Sequence, residues 1–132
     1  MAVQKEIEVI LTRQLAGYLT IPIFIIDPDG NLLYYNEPAQ MILGKRFEDT
    51  GEMAADEWGA IFTPMDVDDT PLAVEDLPIM IALRQHRPAT KRFGILGLDG
   101  KRRLIDVMAF PLDGVADRHL GAVAMFWESY EE

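Results

Sequence analysis

The stretch FIIDPDGNLLYYNEPA (residues 24–39) decides how this chain folds. β-Branched and aromatic residues from Ile21 to Ile26 run into DPDG, where Gly30 is free to take a positive φ, and NLLYY then resumes the strand-like pattern. Two such runs around a tight turn read as a β-hairpin. Asn36 follows the second strand at once and suits a helix N-cap, while Pro38 fits the first helical turn. Ala39, Ile42 and Leu43 carry the helix to its stop at Gly44. The second strand therefore delivers the chain directly into a helix lying over the sheet. The Asn36 side chain is placed to tie strand end to helix start, a structural role rather than a catalytic one.

Working outward, QKEIEVILTRQLAGYL spaces Ile7, Ile10, Leu11, Leu15 and Tyr18 as one helical stripe ending near Gly17. Its cover is either its own domain or a partner's helix. Residues 47–76 hold short helical patterns and loops without a convincing strand. A clearer helix follows in EDLPIMIALRQHR, with Leu77, Met80, Ile81 and Arg84 expected on one face and Pro88 as the stop. The last third is strand-like: TKRFGIL and KRRLIDVMAFPL flank the turn GLDG, and LGAVAMFW closes the chain.

This order describes an α+β domain with a five-stranded antiparallel sheet, short helices on one face and an N-terminal amphipathic helix. Both alternating sets of the final strand are apolar: Leu120, Ala122, Ala124 and Phe126 against Val123, Met125 and Trp127. A sheet with one wet face alternates polar and apolar residues, so both faces should be covered. The internal helices take one face. The other awaits the N-terminal helix, a second subunit, or both.

With 132 residues the chain has the size of one domain. A net charge of −10 disfavours nucleic acid and anionic membrane as partners, because both repel a negative surface. The absence of cysteine removes disulfides, thiolate nucleophiles and Cys-held metals or cofactors. The longest uncharged run, residues 14–26, is too short for a membrane span, and the charged N-terminus does not read as a signal peptide, so cytoplasmic residence is expected.

The order of elements, with Asp27, Asp29–Gly30, Asn36 and Ala39 at the first hairpin, resembles the PAS domain of bacterial signalling proteins. TPLAVEDLPIMIALRQHRPA resembles that family's helix leading into its third strand, and DGKRRLIDVMAFPLDG its central hairpin. The amphipathic helix is assigned to residues 1–19, and the resemblance, which covers roughly residues 19–128, implies a PAS-like domain over 20–128 followed by a tail at 129–132. It also implies a non-enzymatic sensory or regulatory role in signal transduction, homodimerisation, and a signalling output domain or protein as partner.

By the same resemblance the core admits a small hydrophobic metabolite. Its expected wall is Phe24, Ile26, Leu33 and Tyr35 from the first hairpin, Met80 and Ile81 from the long helix, and Phe93, Ile95, Ile105, Val107 and Phe126 from the later strands, with Trp58 and Phe62 as further contributors. The same residues also describe a filled core. Tyr35 would offer the one hydroxyl. Interface candidates are Ile7, Ile10, Leu11, Leu15, Val123, Met125 and Trp127.

The cofactor is left unnamed. Cysteine-adduct flavin is excluded, and haem is disfavoured because His86 sits in the polar RQHRP and His119 in a loop. No metal site is expected: Asp66, Asp68 and Thr70 open like a calcium loop, but Pro71 and Leu77 stand where glycine and a bidentate Glu are needed. No catalytic residue is assigned. The enzyme alternative is a cone-shaped α+β fold resembling ketosteroid isomerases, which would require Asp106 to face inward as a buried base. A ligand-free interaction module is the third option. The acidic stretch 48–76 and the basic stretch 84–103 form opposed patches able to steer subunits or domains together.

Overall fold

A computed structural model describes residues 7–129. The first six residues of the expected N-terminal helix and residues 130–132 of the tail lie outside the described residues. Helix α1 (Ile7–Ala16) leads into the hairpin β1 (Ile23–Ile26) and β2 (Leu32–Tyr35). The short helices α2 (Glu37–Leu43), α3 (Phe47–Thr50) and α4 (Ala55–Phe62) follow, then a 3-10 turn at Val74–Asp76 and helix α5 (Pro78–Gln85). Strands β3 (Ala89–Leu96), β4 (Arg102–Asp113) and β5 (His119–Glu128) complete one antiparallel sheet in the order β2-β1-β5-β4-β3. The fold is the α+β arrangement expected from the sequence.

The hairpin turn forms because one carboxylate satisfies the amides that the bend leaves open. Asp27 Oδ1 accepts from the backbone N–H of Asp29 and of Asn31, each at 2.9 Å, and Gly30 takes φ +88°. Beyond β2, Asn36 is buried and all of its hydrogen-bonding capacity is used. Its Oδ1 accepts from Ile23 N–H at 2.9 Å and from Ala39 N–H at 3.2 Å, capping α2. Its Nδ2 donates to the carbonyls of Ala16 and Ile21, both at 2.9 Å. One side chain thus joins the end of α1, the start of β1 and the start of α2.

The sheet is sandwiched, as the two apolar sets of β5 require. On one face α2–α5 bury Phe24, Tyr35, Trp58, Phe62, Ile105, Val107 and Phe126 in the larger cluster. On the other, α1 buries Val9 and Ala16 against Ile23, Ile25, Leu33, Leu120 and Val123. Two irregularities of register correct the expected facing. Leu33 has no partner between the pairs Ile25↔Tyr34 and Ile26↔Leu32, so this bulge sends Leu33 to the α1 side and leaves Leu32 in the core. Leu120 is likewise skipped between Leu112↔Gly121 and Asp113↔His119, and joins the α1 side rather than the side of Ala122 and Ala124. Gly121, at φ +135°, permits this bend: a Cβ there would run into the Ile26 carbonyl oxygen.

Helix α1 turns its apolar stripe away from the sheet, the second of the two arrangements left open by the sequence. Small residues, Val9 and Ala16, meet the sheet, whereas Ile7, Ile10, Leu11, Leu15 and Tyr18 stay exposed. Asn36 holds the Ala16 carbonyl directly above the sheet, and only a small side chain fits so close. In α5 the buried residues are Pro78, Ile79, Met80 and Ala82, preceded by the buried cap residue Leu77; of the expected face, Ile81 is half-buried and Arg84 exposed.

Replacing Asn36 with Ala leaves two buried N–H groups and two carbonyls without their partner. Each orphaned group costs about 1–3 kcal/mol, so a loss of at least about 3 kcal/mol is expected in urea unfolding, a large part of the roughly 5–15 kcal/mol available to a domain. A loss below about 1 kcal/mol would show that water replaces the side chain at this junction.

Candidate functional site

The candidate site is an apolar cavity of about 70 Å3 between the helical layer and the sheet. Phe24 of β1, Trp58 and Phe62 of α4, Phe93 and Ile95 of β3, Ile105 and Val107 of β4 and Phe126 of β5 line it, all expected from the sequence. Leu43, Pro64, Leu77, Pro78, Ile79 and Ala124 complete the wall. The sequence pattern did not single these out, although the apolar stretch around Pro78 carried a signal for Ile79.

Several expected wall residues lie elsewhere. Leu33 is on the opposite face for the reason given above, and Ile26, Met80 and Ile81 do not line the cavity. Ile26 and Met80 are buried in the surrounding core. Tyr35 is also core, but its hydroxyl donates to the Lys45 carbonyl at 2.8 Å and lies 3.3 Å from Thr50 Oγ1. The phenol expected to serve an occupant is therefore spent on the α2–α3 connection. Burial pushes its pKa above the ordinary value, so it remains a neutral donor.

The aromatic lining is ordered by edge contacts. Phe24 meets Trp58 at 5.2 Å and Phe62 at 6.2 Å, both edge-on. Trp58 Nε1 donates to the Gly30 carbonyl at 2.9 Å, so α4 is pinned to the hairpin turn. Opposite, Arg103 closes the end of α2: its Nη1 donates to the Ile42 carbonyl at 2.9 Å, and its guanidinium bridges to Asp99 with contacts of 2.8 and 3.1 Å. The hydrogen bond from Arg103 holds Asp99 down to about 2.

Asp106 points away from the cavity. Its neighbours Ile105 and Val107 face the core, and it pairs across the ladder with Arg92, whose Nε donates to Oδ1 at 2.8 Å. That hydrogen bond holds the Asp106 pKa below the ordinary carboxylate range. The enzyme alternative loses its candidate base, since an ionised, outward carboxylate cannot serve a buried apolar pocket.

Neither histidine lines the cavity. His86 and His119 instead meet outside it, their rings stacked with centroids 3.7 Å apart, a juxtaposition that their separate polar segments did not suggest. Neither can supply an axial ligand to a group inside. The calcium-like loop is closed on itself and on the sheet: Asp68 Oδ1 accepts from Thr70 Oγ1 at 2.6 Å, Lys91 reaches Asp66 at 3.7 Å, and Arg102 pairs with Asp69. The opposed charge patches thus meet partly within the chain.

On the back of the sheet a groove of about 760 Å3 runs between α1 and the first hairpin, with Val9, Ile10, Ile25, Leu33 and Tyr34 among its walls. The Arg13 guanidinium lies over the Tyr34 ring, 4.6 Å from its centroid. Ile7, Leu11 and Leu15 are 65, 55 and 58% exposed, and Trp127 is 47% exposed. Met125 is half-buried, and Val123, at 2% exposure, lies beneath α1 and is closed to a partner.

Compared by sequence, the chain matches no protein-family model and no curated protein. Compared by structure, it is similar to a PAS domain from Colwellia psychrerythraea, with 16% identity and a TM-score of 0.65 over 92% of this chain and 96% of that one. The protein has the PAS fold. A LOV protein from Rhodobacter sphaeroides superposes with a TM-score of 0.74 at 13% identity, covering 96% of this chain and 70% of the other. A PAS domain from a two-component sensor histidine kinase gives a TM-score of 0.62 at 17% identity, covering 96% of this chain and all of that one. Among the described residues, no helix is long and apolar enough to cross a membrane.

The Asp99–Arg103 clamp yields a pH test. A carboxylate whose pKa falls from 3.8 to about 2 on folding contributes stability that is complete above the higher value and lost as pH drops through the lower one. Denaturant unfolding between pH 5 and pH 2 should show a shallower acid decline in Asp99→Asn than in the parent. Asp68 and Asp106, also lowered, titrate identically in both proteins and cancel in the difference.

Proposed function

We propose that the chain is a non-enzymatic sensory or regulatory domain of signal transduction, acting in the cytoplasm as a homodimer that passes a change of core packing to an output domain or protein. The observation that carries this reading is the Asn36 junction. Helix α2 supplies Leu43 to the cavity wall, and its N-terminus shares the Asn36 side chain with the last turn of α1. A displacement of α2 by an occupant therefore reaches α1, whose outer stripe is apolar and exposed among the described residues. The structural neighbour from a sensor histidine kinase gives this reading its context.

Ile7, Ile10, Leu11 and Leu15 are the dimer contacts in this proposal, with Trp127 and the partly buried Met125 at the end of β5 as further contacts. An exposed stripe of this kind on a helix fits a second copy of itself, because a two-fold axis pairs one apolar face with another. Sedimentation at tens of micromolar should give a dimer, and Leu11→Glu with Leu15→Glu should give monomer with unchanged circular dichroism. A parent protein that sediments only as monomer overturns the dimer.

The occupant proposed for the cavity is a small hydrophobic metabolite. A space of about 70 Å3 is far below the roughly 300–1,000 Å3 of ligand pockets, so binding a molecule of ordinary metabolite size would displace α4 or α5 outward. Native mass spectrometry should show a mass excess that is lost on denaturation. Equal masses would favour the second reading, an interaction module with a packed core, which the small volume of the cavity supports.

A further inference from the structure

The chain has two histidines, and the fold brings them together. His86 caps the C-terminus of α5 and His119 opens β5, and Asp113, at the end of β4, faces His119 directly across the ladder. The bulge at Leu112/Asp113 sets that pairing. His119 Nδ1 lies 3.2 Å from Asp113 Oδ1, and one donor atom from each of the three residues falls within 4.8 Å of the other two. All three are exposed. Stacking two exposed imidazoles buries little apolar surface, so packing gives a weak account of the cluster.

We propose that His86, Asp113 and His119 form a surface site for a borderline divalent transition cation, with Zn2+ as its representative. Two imidazoles and a carboxylate are a donor set that such ions favour, and three protein ligands leave a fourth position to water. Bonds of about 2.0–2.2 Å around a tetrahedral ion set donors roughly 3.3 Å apart. The three side chains are exposed, so rotation that unstacks the two rings would bring their donors from the present spread to that value. The three ligands come from two different layers, and each is backbone-anchored: Asp113 and His119 by the ladder, His86 by its N–H to the Ala82 carbonyl at 3.0 Å.

The net negative charge of the chain favours a cation, while Arg84 and Arg87 near His86, and Arg118 beside His119, oppose it. Two of these guanidiniums are engaged locally, Arg87 with Gln85 Oε1 at 2.7 Å and Arg118 with Glu8 Oε2 at 3.0 Å. A bound ion would fasten the end of α5 to the β4–β5 hairpin. Pro78 and Ile79, at the start of the same helix, line the cavity, so the ion would stiffen one of the two helices whose displacement would open the core. The site itself is independent of what the cavity binds.

The test uses the untagged chain, stripped with chelator and titrated with Zn2+ by calorimetry and with Co2+ by visible absorption. One ion per chain is expected, with ligand-field bands for Co2+ and a rise of at least about 4 °C in the thermal midpoint at saturating Zn2+. His119→Ala and His86→Asn should each weaken binding by about 10–100-fold, and Asp113→Asn by about tenfold. Asn is chosen at position 86 because it tolerates the left-handed φ of +52° found there. Circular dichroism establishes that the variants are folded. No uptake at tens of micromolar metal overturns the proposal, as does uptake that persists in the His86→Asn/His119→Ala double variant, which would place the ion on the acidic loops.

Discussion

The architecture depends on one buried amide. Asn36 satisfies four backbone groups drawn from α1, the segment preceding β1, β1 itself and α2, and has no capacity left over. Each net hydrogen bond contributes only about 0.5–1.5 kcal/mol, but an unpaired buried group costs more than a made bond supplies. The junction is therefore held by what its loss would expose. The rest of the attachment of α1 is modest: Val9 and Ala16 are small, and the Glu8–Arg118 ion pair is partly solvated. A shift of the start of α2 would thus be felt at the end of α1.

That dependence links the two sides of the sheet. On the helical side the aromatic side chains of Phe24, Tyr35, Trp58 and Phe62 belong to a packed core that leaves about 70 Å3. Interiors pack to the density of organic crystals, so such a void is small but adjacent to elements held by few bonds. Helix α4 is tied by Trp58 to the hairpin turn, and the C-terminal end of α2 is tied by Arg103. A change in core volume would be met by shifts of these short helices before the sheet deformed, because the ladder hydrogen bonds resist separation.

The outer surface separates two kinds of attraction. The apolar residues of α1 are turned to solvent, while part of the charge contrast between the acidic segment and β3–β4 is settled inside the chain by Lys91–Asp66 and Arg102–Asp69. Association through α1 would therefore rest on apolar contact and vary little with salt, whereas the charged loops chiefly hold residues 64–72 against the edge of β3. The backbone pairing of Met65 with Gly94 does the same and shields that edge from other strands.

Element type, order and the sandwiched sheet were legible in the sequence because they follow from local periodicity, turn chemistry and the double apolar pattern of β5. Eight of the cavity residues were legible through the PAS resemblance, which told which alternating set of β1, β3, β4 and β5 faces inward and added Trp58 and Phe62 of α4 as further contributors. What only the tertiary structure decided were the positions where alternation breaks or elements meet. A bulge adds one residue and reverses every facing beyond it, so Leu33 changed sides without any local signal, and for Leu120 the one local mark was Gly121 within β5. The outward stripe of α1, the commitment of the Tyr35 hydroxyl to Lys45 and the meeting of His86 with His119 depend on docking geometry, and docking is set by contacts between residues far apart along the chain.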